Sequence, residues 1–463
     1  MAGAESGPLR GRIRDRVGKR GRQILGDLKQ PWLLALLFVA CIPVFPEYFA
    51  PPLAGASLLA AHFDAKRNGR RIMVGVLGKI MLAYMAYMAF GLLYTPDFFS
   101  TLATLGMWAV MFLGYLSVVT VLTDRQRYDT ALFCLCLVAG LIGAIGCIQY
   151  VLRAFLGWDL TLQFWRFADQ VVFEWLPIDF LPITTDLRVS STFNNPNIFA
   201  ESLIMVFPFV SYYAFSGRRT GTRTLCRFCL LAAAGGVAFS FSRGCYLALL
   251  VIALIFCIAN IRKILLMIVT AASALLLVPE SVMARLFSVT GMDASTNERL
   301  RIWEIAVETI GRDPLFGLGG GIFNSWDTLV HNGINAPHMH NIVLELLVEG
   351  GVIALGIMLF AGWKLLRGGL DMLQHSRDSR MMGVVFLAFT AGFCLDGMVD
   401  FPLFTPKLVG LFLLVLGLGD AAMKLYLDRE LQPLREAAPF ALLLRRLHRL
   451  RRPKKASENA AGE

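Results

Sequence analysis

Apolar runs near or above the length needed to cross a bilayer recur along most of this chain, and no other feature restricts its fold as tightly. A helix needs roughly 20 residues to cross about 30 Å of hydrocarbon. In that medium every backbone N–H and C=O must be satisfied within helices or a closed barrel. Alternating ten-residue strands of the barrel kind are absent, so the sequence predicts an all-α integral membrane protein. Composition agrees: of 463 residues, 56% are hydrophobic and 17% charged, with a mean hydropathy of +0.61, outside the range of soluble domains.

Runs and breakers give about twelve candidate spans, at 32–49, 51–63, 72–94, 101–122, 130–152, 197–215, 226–241, 244–260, 262–279, 340–363, 381–400 and 405–427. The second is short, and Pro43, Pro46, Pro51 and Pro52 allow a bent or re-entrant hairpin for the first pair. A net charge of +11 invites a nucleic-acid reading, but its placement excludes it. Basic residues fill the tail 10–29, alternate short connections (Lys66 to Arg71; Arg125 and Arg127; Arg218 to Arg223; Arg262 and Lys263; Lys364 to Arg380) and the tail after Arg445. The positive-inside rule produces that pattern. Both termini are therefore expected in the cytoplasm, and the long basic-poor segments 153–196 and 280–339 on the other face.

The expected organisation is a basic tail 1–30, a bundle 31–279, a loop region of short helices 280–339, three spans within 340–427, and a basic tail 428–463. The basic N-terminal region runs into a long apolar stretch without a small-residue cleavage site, which reads as an uncleaved first span. The nine cysteines lie mostly in apolar runs, as small buried residues. Cys226 and Cys229 form a lone CxxC with no second pair to complete a zinc site.

With topology assigned, Lys and Arg outside the cytoplasmic connections become scarce. Arg243 stands between two spans in Phe239-Ser-Phe-Ser-Arg-Gly-Cys245, where a cation is costly unless paired or facing a polar cavity. It is read either as a snorkelling anchor or as an anion site. Arg188 opens Arg188-Val-Ser-Ser-Thr-Phe-Asn-Asn-Pro-Asn197. There Asn195 and Pro196 look like a helix cap and first helical position, beside which a guanidinium would suit phosphate. A third cluster, Ala336-Pro-His-Met-His-Asn341, precedes the tenth run. The two imidazoles suit a general base or an interfacial cap. A metal site would need a third ligand that the sequence does not supply nearby, so none is expected.

These segments, with Arg299-Leu-Arg-Ile-Trp303, Asp313-Pro-Leu-Phe-Gly-Leu-Gly319, His340-Asn341 and Gly350-Gly351, resemble the O-antigen ligase and polymerase superfamily over about 188–356. The chain is most similar to the ligases. The resemblance implies a GT-C-like glycosyltransferase of the bacterial inner membrane, needing no cofactor or metal. It would transfer glycan from undecaprenyl diphosphate to lipid A-core on the periplasmic face, with inversion at the sugar. By the same resemblance, Arg188 and Arg243 bind the diphosphate and His338 or His340 deprotonates the acceptor, with the family's His-Asn pair pointing to His340. Asn195, Asn197, Arg299, Arg301 and Asn341 are candidate substrate contacts. Two alternatives share parts of this layout: a polymerase using a lipid-linked repeat as acceptor, and a solute transporter, against which stands the gathering of polar residues on one face.

Overall fold

A computed structural model describes residues 30–158, 160, 187–216, 220–259 and 294–437. The proposed ninth span, most of 153–196, residues 1–29 and residues 438–463 lie outside the described residues. Among the described residues, thirteen α-helices of ten residues or more carry the fold, in chain order: α1 (Pro31–Ala40), α2 (Ala50–Arg67), α3 (Val76–Gly91), α4 (Phe98–Val121), α5 (Arg125–Val151), α6 (Pro196–Ser216), α7 (Thr220–Ser240), α8 (Arg243–Ala259), α9 (Ala294–Arg312), α10 (Ile322–His331), α11 (Ile342–His375), α12 (Arg377–Gly397) and α13 (Pro406–Leu427).

Seven of these are long and apolar enough to cross a membrane: α4, α5, α6, α7, α11, α12 and α13; α1, α3 and α8 are apolar but shorter. The chain is thus a largely helical, multi-pass type of membrane protein. The described part of 280–339 holds two helices, α9 of 19 residues and α10 of 10 residues.

Helix α13 is the centre of the bundle and is buried on nearly every side, which is why its sequence is apolar all round instead of striped. Its one acid, Asp420, does a capping job for another helix. The first turn of α3 has no local side-chain cap, and Asp420 accepts the N–H groups of Leu77 (3.0 Å) and Gly78 (3.2 Å) while Tyr115 donates its hydroxyl at 2.5 Å. Where α5 crosses α7, Gly140 and Gly143 lie against Cys229 and Ala232 with no room for a Cβ, the small-residue contact typical of membrane helices. The buried CxxC of the sequence is part of that contact.

At one end of the bundle, basic groups and their partners gather. Arg70 and Arg127 bind Asp64 at 2.6 and 3.0 Å, Arg125 binds Asp378 at 2.9 Å, and residues 73–74 pair antiparallel with 432–433. At the opposite end, α6, α8, α11 and α13 begin and α7 and α12 finish, so chain ends from six helices converge there.

The segment 187–195 is pinned at that end. Gln149 of α5 donates to Ser191 O and accepts Ser191 N–H, and Thr192 donates to Pro43 O at 2.7 Å. Lys407, fully buried, donates to Thr192 O at 2.5 Å and lies 4.2 Å over the Phe193 ring.

Candidate functional site

Arg188 is aimed by two bonds. Its Nε donates to Ser240 O at 2.9 Å, and Nη2 donates to Asn197 Oδ1. Asn195 accepts the N–H of Asn197 at 2.8 Å at the start of α6, so it serves as the cap that its position before Pro196 suggests. Arg243 is the first residue of α8, following a backbone turn in which Phe241 has φ +55°. Arg299 reaches the same place from α9. The three arginines, with Asn197, Ser242, Gly244, Asp396, Val399 and Asp400, enclose a pocket of about 80 Å³. Gly244 is required there: a Cβ would fall 2.5 Å from the Val399 side chain and 3.3 Å from Asp396 Oδ1.

Beside the pocket sits the histidine turn. Asn341 accepts the N–H groups of Val343 (2.9 Å) and Leu344 (3.1 Å), capping α11, and donates to Met398 O at 3.0 Å. That ties the turn to the end of α12. His340 adopts φ +47°, the left-handed region that few residues other than glycine enter, histidine among those that do so more often. The two imidazoles lie 4.3 Å apart, tilted at 66°.

Asp400, on the α12–α13 connection, joins the two halves. Its Oδ2 accepts from Asn197 Nδ2 at 3.1 Å, and its Oδ1 accepts from Phe401 N at 2.9 Å and from His340 Nδ1 at 3.0 Å. His338 Nε2 is 3.6 Å from the same oxygen. A carboxylate only accepts, so His340 carries a proton on Nδ1, and in the neutral ring it is Nε2 that bears the lone pair. His338 differs. Its Nδ1 accepts the His340 backbone N–H at 3.2 Å, which places the proton of the neutral ring on Nε2.

Burial, reinforced by the charges of His340 and Arg299, lowers His338 to about 3 despite the attraction of Asp400, so it is neutral near pH 7. For Asp400, burial pushes the carboxyl upward, but the His340 hydrogen bond and the neighbouring positive charges outweigh it and hold the group below the ordinary carboxylate range.

Of the residues singled out in the sequence, Arg188, Asn197, Arg243 and Arg299 line the pocket, and His338 and His340 adjoin it through Asp400. Asn195 and Asn341 are helix caps. Arg301, exposed on α9, does not line the pocket. Two residues that sequence reading passed over are central: Asp396 and Asp400, both buried. A signal for them exists in the sequence, because acids in or beside an apolar run are costly and read as functional by default. Buried Glu201 of α6 faces the same two carboxyl groups.

His338, His340 and Asp400 also bring three metal-ligand-type atoms within 4.8 Å of one another, so Asp400 is the third group the sequence did not reveal. Ligation through His338 Nε2 would require its ring proton to move to Nδ1, where the His340 N–H already points.

Residues 228–359 match the family model described as O-antigen ligase. Over that stretch the chain is similar to the O-antigen ligase superfamily. The match includes Arg243, Arg299 and both histidines, while Arg188 precedes it and Asp400 follows it. The similarity supports a function of the ligase or polymerase type in general. No curated protein matches the chain.

Proposed function

We propose that this protein is an O-antigen ligase that moves glycan from undecaprenyl diphosphate to the lipid A-core oligosaccharide at the periplasmic face of the inner membrane. The observation that carries the mechanism is the Asp400 bridge: one carboxyl oxygen fixes the His340 ring, and the other is bonded to Asn197 in the arginine pocket. A base and an anion site are thereby held by one side chain. The pocket, of about 80 Å³, has room for a phosphate group among the three guanidinium groups.

Arg188, Arg243 and Arg299 bind the diphosphate there. As the bond between the anomeric carbon and the phosphate oxygen breaks, the leaving diphosphate takes the electron pair. The guanidinium groups stabilise the charge that grows on it. On the opposite side of the sugar, His340 Nε2 takes the proton of the acceptor hydroxyl while its oxygen bonds to the anomeric carbon. His340 is the base because, among the described residues, the Nδ1 lone pair of His338 accepts a backbone N–H while no partner occupies Nε2 of His340. His338 packs behind it.

Single Arg188→Ala, Arg243→Ala and His340→Ala variants, assayed for glycan attachment in membranes, test the reading. Each is expected to lose transfer by about 100-fold or more. Near-normal transfer by both arginine variants would overturn the diphosphate assignment, and by His340→Ala the base. The acceptor is tested separately, by lipopolysaccharide profile. A deletion strain that keeps lipid A-core but loses all capped species supports a ligase, and one that still attaches a single repeat overturns it in favour of a polymerase.

A further inference from the structure

We propose that Trp303 of α9 and Glu345 of α11 form a clamp on the backbone of Met339 that positions His340 as the base; the inference rests on the functional reading above. Met339 lies between the two histidines and is fully buried. Both of its backbone groups are held by distant side chains. Its N–H donates to Glu345 Oε2 at 2.6 Å, and its carbonyl accepts Trp303 Nε1–H at 3.1 Å.

Ordinary helix capping does not account for this. The cap of α11 is Asn341, and its side chain already serves the first-turn N–H groups. A capping-box carboxylate returns to the N-cap residue itself, whereas Glu345 reaches past the cap to a residue two positions earlier. Nor does packing require a bond from Trp303, since a phenyl ring would fill much of the same apolar space.

What the two bonds do is fix the peptide planes on both sides of Met339. The turn then leaves Met339 into the left-handed conformation of His340, and that backbone direction sets where the imidazole points. A buried bond to a carboxyl on one side and one from an indole on the other restrain the turn from two different helices. Trp303 also lies one helical turn after Arg299, on the same face of α9. One rigid helix therefore carries both a pocket arginine and half of the clamp, so the anion site and the base share a frame.

The test uses the full chain in detergent or nanodiscs, with Trp303→Phe, Glu345→Leu and Glu345→Gln. Trp303→Phe and Glu345→Leu are expected to lower kcat about tenfold, with KM for the lipid-linked donor within about twofold. Glu345→Gln, whose amide oxygen can still accept the Met339 N–H, is expected to recover most of the Glu345→Leu loss. Hydrogen exchange over a peptide spanning 336–344 should quicken in the two losing variants at a melting temperature close to that of the parent.

Unchanged kcat in both losing variants, while His340→Ala abolishes transfer, would overturn the clamp. So would a loss confined to KM, or a Glu345→Gln variant as impaired as Glu345→Leu. If His340→Ala itself keeps transfer, the functional reading is the one that fails. The clamp is then decided by exchange alone, and unaltered exchange rejects it.

Discussion

The chemistry at the residue scale depends on which ring nitrogen is free, and Asp400 decides that for His340. Asp400→Asn keeps the shape and an oxygen to accept the Nδ1 proton, but it removes the negative charge that stabilises the imidazolium formed on proton uptake. A fall in kcat of about 100-fold is expected, with donor KM little changed; equal activity would mean that Asp400 only packs. His338 makes a different prediction. Its folded-state pKa of about 3 lies below its ordinary 6.5, so between those values the unfolded chain binds the extra proton. Stability is therefore complete above about pH 6.5 and is lost progressively as pH falls towards 3. Between pH 8 and pH 5 the loss from this buried group is about 2 kcal/mol. Asp400, held low, adds to acid sensitivity only at still lower pH. Thermal unfolding in detergent at the two pH values should show the fall in the parent chain and a shallower one in His338→Gln. Equal slopes would contradict the burial of a neutral ring.

Among the elements, α11 shows how a break in a helix can be used. Gly351 has φ +62° inside the helix, and the glycine-rich turn docks on the break. Leu318 N donates to Val348 O at 2.8 Å, Gly320 N to Glu349 O at 2.7 Å, and Val352 N to Pro314 O at 2.9 Å. Backbone groups released by the kink are thus satisfied by the turn, as a low-dielectric setting demands. A Cβ at Gly351 would fall 2.2 Å from Leu315 O, a backbone atom that cannot swing aside. Gly351→Ala is therefore expected to cost about 3 kcal/mol through combined clash and strain. Gly356→Ala, on the same helix with open space around it, should be neutral or slightly stabilising. Similar melting temperatures for the two variants would show that the docked turn contributes little. The same helix carries Glu345 in its first turn and follows directly on the His340 turn, so Gly351→Ala is also expected to reduce transfer.

For the molecule as a whole, the class of fold and most helix positions could be read from apolar run length, because the bilayer imposes one length and one hydrogen-bonding rule on every span. The break at Ser242-Arg243 and the start of α6 at Pro196 were legible for the same reason: a charge or a proline interrupts a uniform pattern. The arginines and histidines stood out by scarcity and motif. What joins them was not legible. Asp400 is 60 residues beyond His340, Trp303 is 36 residues before Met339, and only the packing of α9, α11 and α12 brings them together. Sidedness follows from the same distribution of charge. Arg67, Arg71, Arg125, Arg377 and Arg380 are exposed at the end of the bundle remote from the pocket, and basic residues of that kind stay in the cytoplasm. The pocket end should then face the periplasm. Fusion of a fluorescent reporter that matures only in the cytoplasm is expected to light up after Glu463. An epitope inserted at Asn332-Gly333, in the exposed turn after α10, should be accessible from the periplasm in intact spheroplasts. The reverse pair of results would place the arginines and His340 in the cytoplasm, where a donor already carried across the membrane could not meet them, and the proposed transfer would fail on topology alone.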